Sequence, residues 1–219
     1  MSDHERMETR MKSLQLCIKR LVDLLGSLIG LVVLSPLLLI IAIAIKVTST
    51  GPVFFKQDRL GLKGRTFQIL KFRTMVVHAE KMGDGLFVSG NEDSRITAIG
   101  KILRKTSLDE LPQLINVFMG DMSIVGPRPP VTYHPYKGYE GYPTWAKTRF
   151  DMRPGITGLA QVKTRTTVPW DDRIVIDNEY IEHFSLLMDA KILIGTVASV
   201  LGKKNIYPDD IEKLRNNKK

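Results

Sequence analysis

The sequence predicts a helix-rich α+β protein: an N-terminal re-entrant membrane helix, then a small catalytic domain on the cytoplasmic face that contains a β-hairpin. Three observations lead there. Residues 24–45 carry no charge, two short strand-like runs flank Gly61-Leu62-Lys63-Gly64, and from Ile99 onward apolar residues recur at helical spacing around an acidic pair, Asp109-Glu110. With 219 residues, 43% of them apolar and 25% charged, the chain holds one sizeable core. Residues 1–46 are expected to form the leader and membrane helix, and residues 47–219 the catalytic domain with its interfacial helices.

The formal charge of +9 points to an anionic partner. Its placement narrows the choice: Lys46, Lys56, Arg59, Lys63, Arg65, Lys71 and Arg73 face a single acid, Asp58, directly after the most apolar run. A basic stretch beside a membrane segment favours lipid headgroups. Nucleic acid is set aside, because neither a helix-turn-helix nor an aromatic RNA-binding signature is present. Cys17 is the single cysteine and His4, His78, His134 and His183 lack ligand spacing, so neither a disulfide nor a zinc site is expected.

Residues 1–20 read as a frayed leader running into a helix. The uncharged stretch of residues 24–45 is long enough for about 33 Å of helix, the thickness of a bilayer core, and too long for the apolar region of a cleaved signal peptide. Two features favour a helix bent back on itself over a spanning one, and both alternatives stay open. Ser35-Pro36 lies mid-run, where proline removes a backbone bond, and the basic flanks Lys19-Arg20 and Lys46 hold both ends on the cytoplasmic face.

After a turn at residues 48–52, residues 53–59 and 66–72 form the expected hairpin, projecting Lys56, Arg59, Lys71 and Arg73. Residues 81–94 read as a loop without calcium-ligand spacing. Ile99, Ile102 and Leu103 mark a helix whose Lys101, Arg104 and Lys105 lead to Ser107-Leu108-Asp109-Glu110-Leu111-Pro112-Gln113. Ser107 and Glu110 have capping-box spacing, whereas Pro112 is comfortable only in a first turn, so a start nearer Pro112 is the other register. In either, a helix dipole favours the ionised forms of Asp109 and Glu110.

Gly126-Pro127-Arg128-Pro129-Pro130 is a stiff extended turn suited to holding Arg128 against a phosphate. Tyr133, Tyr136, Tyr139, Tyr142 and Trp145 recur every third residue, which on a polyproline-type segment would make a membrane-interface belt. Residues 153–158 form a second turn headed by Arg153, followed by Lys163 and Arg165. Ile174, Asp177, Tyr180, Ile181 and Phe184 suggest an amphipathic helix, and residues 186–201 an interfacial or core helix bearing Asp189 and Lys191. The lysine-rich end, residues 212–219, is expected to be disordered.

An aspartate can attack phosphorus and hold the transferred group as an acyl phosphate, while a neighbouring glutamate positions a metal or handles a proton. Two carboxylates meet a diphosphate only with countercharge, so magnesium at Asp109 and Glu110 is expected, with arginines supplying the rest. A membrane-anchored basic lipid-binding adaptor is the competing reading; it leaves the acidic pair as mere capping.

The ordered motifs Lys19-Arg20-Leu21-Val22-Asp23, the apolar run with Ser35-Pro36, Gly51-Pro52-Val53-Phe54-Phe55, Lys71-Phe72-Arg73-Thr74-Met75, residues 107–113, Gly120-Asp121-Met122-Ser123, residues 126–129 and residues 153–158 resemble the small monotopic phosphoglycosyl transferases of the bacterial sugar transferase family. The resemblance runs from Lys19 to about Leu201. It implies transfer of a sugar 1-phosphate from a UDP-sugar to undecaprenyl phosphate with release of UMP, at the cytoplasmic face of the bacterial inner membrane. That reaction would open capsule, exopolysaccharide, O-antigen or glycoprotein glycan assembly.

It further implies Asp109 as nucleophile, Glu110 as its partner, magnesium at that pair, and Lys71, Arg73, Arg104, Arg128, Arg153 and Arg165 as substrate-binding residues. Ser35 and Pro36 would form the re-entrant kink, membrane lipids are further partners, and a homodimer is left open. Val162-Lys163-Thr164-Arg165 departs from the family's usual Val-Asn-Gly-Arg, which makes Arg165 the least secure of these assignments.

Overall fold

In a computed structural model, described here for residues 3–82, 93–164, 168–200 and 202, the longest element is helix α1, Asp3–Thr48. Its 46 residues correspond to about 69 Å of helix. Pro36 sits inside it, so the membrane segment is one helix rather than two joined by a turn, and the Ser35 hydroxyl donates to the Val32 carbonyl at 2.7 Å. The backbone bond that proline cannot make is local to that turn.

Two-residue alternation and the glycines at Gly61 and Gly64 produce the expected hairpin: β1 (Phe54–Leu60) pairs antiparallel with β2 (Thr66–Phe72), from Phe54 opposite Phe72 to Leu60 opposite Thr66. Helix α2 (Ala98–Thr106) is capped by the Thr97 hydroxyl, which accepts from the Gly100 N–H at 3.0 Å. A single 3-10 turn at Leu108–Glu110 leads into α3 (Gln113–Met119). Strand β3 (Ser123–Val125) pairs in parallel with β4 (Gly155–Thr157), and between them lies the short helix α4 (Thr144–Lys147). Helices α5 (Leu159–Thr164), α6 (Trp170–Glu182) and α7 (Leu186–Val200) complete the domain.

The three-residue aromatic repeat is not a membrane belt. Tyr142 is buried, its ring centroid lies 4.8 Å from Tyr136 and 4.9 Å from Phe150, and Tyr139 stands 5.3 Å from Phe150. These rings pack with Leu60, Ala146 and Ile174 into a small core, leaving Tyr133 and Trp145 exposed. The segment forms turns instead of an extended helix, so period-three residues do not share one face. Most of the loop expected at residues 81–94, and all of residues 212–219, lie outside the described residues.

The domain packs along both sides of Pro36. Before it, Asp23 accepts from the Ile124 N–H at 2.9 Å, Arg20 donates to the Val117 and Phe118 carbonyls, and Gly26 and Gly30 let Ile124 and Leu114 approach α1 closely. After it, Ile41 and Ile45 form a core with Phe72 and Leu103. The opposite face of α1 exposes Leu25, Ile29, Val32, Val33, Ile40 and Ile43.

Lys19 ties α1 to α7 through Asp189 at 2.5 Å, with side chains 8% and 12% exposed, and the Tyr180 hydroxyl donates to the same carboxylate. Removing one partner of a buried pair strands the other charge. Lys19→Met should therefore destabilise the detergent-solubilised protein by about 3–5 kcal/mol. Chemical denaturation would measure this, and an unchanged midpoint would show that the pair is screened.

Candidate active site

Asparagine binds a strand edge as a peptide group does, and Asn116 on α3 uses this against β2. Its Oδ1 accepts from the Leu70 N–H at 2.9 Å and its Nδ2 donates to the Gln68 carbonyl at 2.8 Å. That contact sets α3 beside the strand that carries Lys71, so the turn preceding α3 delivers Glu110 to it. Lys71 Nζ stands 2.6 Å from Glu110 Oε1, and Arg128 Nη2 reaches the same oxygen at 3.1 Å from the proline-rich stretch after β3.

At residues 107–113 the capping box of Ser107 and Glu110 is not made, and the register that starts nearer Pro112 is the one formed. Ser107 ends α2, adopting the left-handed region (φ 57°) with its N–H returned to the Leu103 and Arg104 carbonyls, and its side chain caps nothing. α3 starts just past Pro112. Asp109 and Glu110 consequently occupy the 3-10 turn, ahead of the helix instead of in its first turn.

The surroundings push the two carboxyls in opposite directions. Burial would raise Glu110, but the charges of Arg128 and Lys71 and the hydrogen bonds they donate outweigh it and hold Glu110 well below the ordinary carboxylate range. Asp109 makes no ion pair among the described residues; burial raises it, Lys71 pulls it down, Glu110 adds repulsion and Arg104 attraction. A dipole-driven lowering of Asp109 is thus not what the surroundings produce. Burial lowers Lys71 against the pull of Glu110, and the charge of Glu110 raises Arg128.

Of the residues expected to bind substrate, Lys71, Arg104 and Arg128 surround the acidic pair. Arg73 and Arg153 do not. Arg73 is 5% exposed and donates to the Ser49 and Thr50 carbonyls and the Ser49 hydroxyl, closing the end of α1. Arg153 donates to the Gly120 carbonyl at 2.9 Å, at the far end of α3 from the site. Arg165 lies outside the described residues.

Arg59, read from sequence as part of a basic surface, is at the site: its pKa is lowered to about 10 by burial and by the charge of Arg128. Arg149 and Asp177 pair behind the Arg128 backbone, and no local signal marks them, since Arg149 meets its partners 21 and 28 residues away.

Among the described residues no group of three or more His, Cys, Asp or Glu could hold a metal. Magnesium commonly uses one or two protein carboxylates and completes its shell with water and substrate phosphate. Asp109 and the Glu110 oxygen not gripped by Lys71 and Arg128 fit that modest donor set.

A half-buried carboxyl pair ringed by lysine and arginine, beside a long apolar helix, defines a membrane-associated enzyme that handles phosphates. The family profile described as bacterial sugar transferase matches residues 14–203, and the chain belongs to that family. It is a phosphoglycosyl transferase.

Similar curated proteins include a UDP-glucose:undecaprenyl-phosphate glucose-1-phosphate transferase of Caulobacter vibrioides, 45% identical over 194 residues that cover 86% of this chain and 72% of that protein. Another of the same name, from Klebsiella pneumoniae, is 40% identical over 205 residues, covering 91% of this chain and 43% of its own length. The exopolysaccharide production protein PSS of Rhizobium leguminosarum bv. phaseoli is 42% identical over 195 residues, 86% of this chain and 97% of that protein. The chain thus spans less than half of the Klebsiella relative and nearly all of the Rhizobium one.

Because the folded pKa of Glu110 lies below its ordinary 4.5, the stability it contributes is complete above that pH and is lost as pH falls toward the folded value. Lys71→Met removes one of the two cations and raises the folded value toward the ordinary one, so the acid loss should be smaller and should finish at higher pH than in the wild type. Melting temperatures from pH 2 to 7 would show it; superimposable acid limbs would mean that Arg128 alone holds the carboxylate.

Proposed function

We propose that the protein transfers a sugar 1-phosphate from a UDP-sugar to undecaprenyl phosphate through a covalent intermediate on Asp109. The observation that carries this reading is the asymmetry of the pair. Glu110 has one oxygen gripped by two cations, whereas Asp109 is partly desolvated, makes no ion pair among the described residues, and is raised in pKa where Glu110 is lowered. A carboxylate in that state is the better nucleophile.

An Asp109 carboxylate oxygen attacks the phosphorus that bears the sugar. The bond from that phosphorus to the bridging oxygen breaks, and UMP departs with the electron pair. A phosphate oxygen of the lipid then attacks the same phosphorus, the bond to Asp109 breaks, and the carboxylate is regenerated as the lipid diphosphate sugar leaves. Lys71, Arg128 and the nearby Arg104 supply positive charge where the reacting phosphates gather, since such transfer depends mainly on positioning and electrostatics. Magnesium held by Asp109 and Glu110 would supply charge neutralisation of the diphosphate. A non-catalytic adaptor is set aside by the family to which the chain belongs. Relatives named for UDP-glucose make it the first sugar to try.

The reading includes a monotopic arrangement with both ends of α1 at the cytoplasmic face. It is supported by packing: a helix crossing the bilayer could touch a soluble domain at one end only, yet this domain contacts α1 from Asp23 to Ile45. The exposed apolar face of α1 is then the face turned to lipid.

Enzyme mixed with UDP-glucose and magnesium, without lipid, should release up to one equivalent of UMP and gain one sugar phosphate in mass, mapping to Asp109 after a rapid quench. Asp109→Asn should lower turnover by about 10³-fold or more. UMP that appears only when polyprenyl phosphate is present would instead favour direct transfer in a ternary complex. Single cysteines at Ser13 and Thr48, in a Cys17→Ser background, should label from the same face of inverted vesicles; labelling from opposite faces would establish a spanning helix.

A further inference from the structure

Residues 127–130 read Pro-Arg-Pro-Pro, and three prolines leave this stretch with little ability to donate hydrogen bonds. Its carbonyls are the handles by which the fold can hold it, and all four are used. Pro127 accepts from the Gly155 N–H at 2.9 Å and Pro130 from the Leu60 N–H at 3.0 Å. Between them, the Arg128 carbonyl accepts from Arg149 Nη2 at 2.8 Å and the Pro129 carbonyl from Arg59 Nη1 at 2.9 Å. The two central handles, both just after the Arg128 Cα in the chain, are therefore gripped by arginine side chains.

Arg149 is among the most buried side chains in the protein, 1% exposed, and the same Nη2 donates to Asp177 on α6 at 2.8 Å, itself 2% exposed. Its guanidinium lies 5.6 Å from the Trp170 ring and 5.8 Å from the Phe150 ring, which leaves it little freedom. Burying an ion pair gives weak net stability, so such a pair is better explained by what it orients. What it orients is the backbone of the one residue in this stretch whose side chain reaches Glu110.

We propose that Arg149, held by Asp177, is a positioning residue for the transfer reaction: by gripping the Arg128 carbonyl it keeps the Arg128 guanidinium on Glu110. The inference rests on the reading of Asp109, Glu110 and Arg128 given above. Lysine at position 149 keeps a charge opposite Asp177, but its ammonium sits on a flexible stem without the rigid guanidinium plane that aims Nη2 at both acceptors. The expected consequence is a misplaced Arg128 rather than an unfolded domain.

The test is a double-mutant cycle on the full-length, detergent-solubilised enzyme, reading UMP release from UDP-glucose and undecaprenyl phosphate beside a melting curve. Arg149→Lys should lower kcat by about 10²-fold, the scale of a misplacement of about 1 Å, with a far smaller change in KM for the UDP-sugar. In an Arg128→Ala background the same substitution should lower kcat no further, because its effect passes through Arg128. Should Arg149→Lys melt below the assay temperature, Asp177→Asn takes its place in the cycle. Multiplicative losses in the double variant would overturn the positioning role while leaving the site intact. Full turnover by Arg128→Ala would overturn the underlying site reading instead.

Discussion

The grip of Lys71 and Arg128 on Glu110 is the interaction on which the site depends. A carboxylate at this depth would ordinarily neutralise itself by taking a proton, and only closely placed cations keep it charged. The two cations come from different parts of the chain, β2 and the proline-rich stretch after β3, so the ion cluster also joins the hairpin to the rest of the domain. Lys71 and Arg128 offset the two carboxylates, and Arg104 and Arg59 add further positive charge beside them. The two carboxylates still repel a diphosphate that comes close to them, which is the physical reason a divalent cation is expected with it.

Differences between two adjacent carboxyls matter more here than their shared presence. Glu110 is held, low and oriented, while Asp109 is raised by burial and makes no ion pair among the described residues. Neighbouring acids acquire separate roles when their surroundings push their pKa values apart. The left-handed Ser107 and the 3-10 turn produce the split, because they turn Glu110 inward onto Lys71 while Asp109 stays beside the more exposed Arg104.

The long helix contributes more than an anchor. Its Arg20 occupies the carbonyls at the end of α3, its Asp23 receives the N–H of Ile124, and its glycines admit Ile124 and Leu114. α3 carries Asn116, which in turn docks on β2 beside Lys71. A continuous run of contacts therefore connects the membrane-facing helix to the carboxyl pair, and the lipid-facing surface and the reacting groups share one packed body.

Local chemistry determined a good deal of this: the uncharged run of residues 24–45, the hairpin around Gly61 and Gly64, the acidic pair with basic neighbours, and the ordered motifs that indicate the family all follow from residue types at short spacing. Tertiary structure decided the rest. It alone set Lys71 and Arg128 on Glu110, turned Arg73 and Arg153 toward backbone carbonyls, gathered the Tyr136, Tyr139 and Tyr142 rings into a core, and buried Arg149 against Asp177. The reason is that an arginine's role depends on which acceptor lies within hydrogen-bond reach. In a folded chain that acceptor is commonly tens of residues away, where no periodicity or neighbouring residue records it.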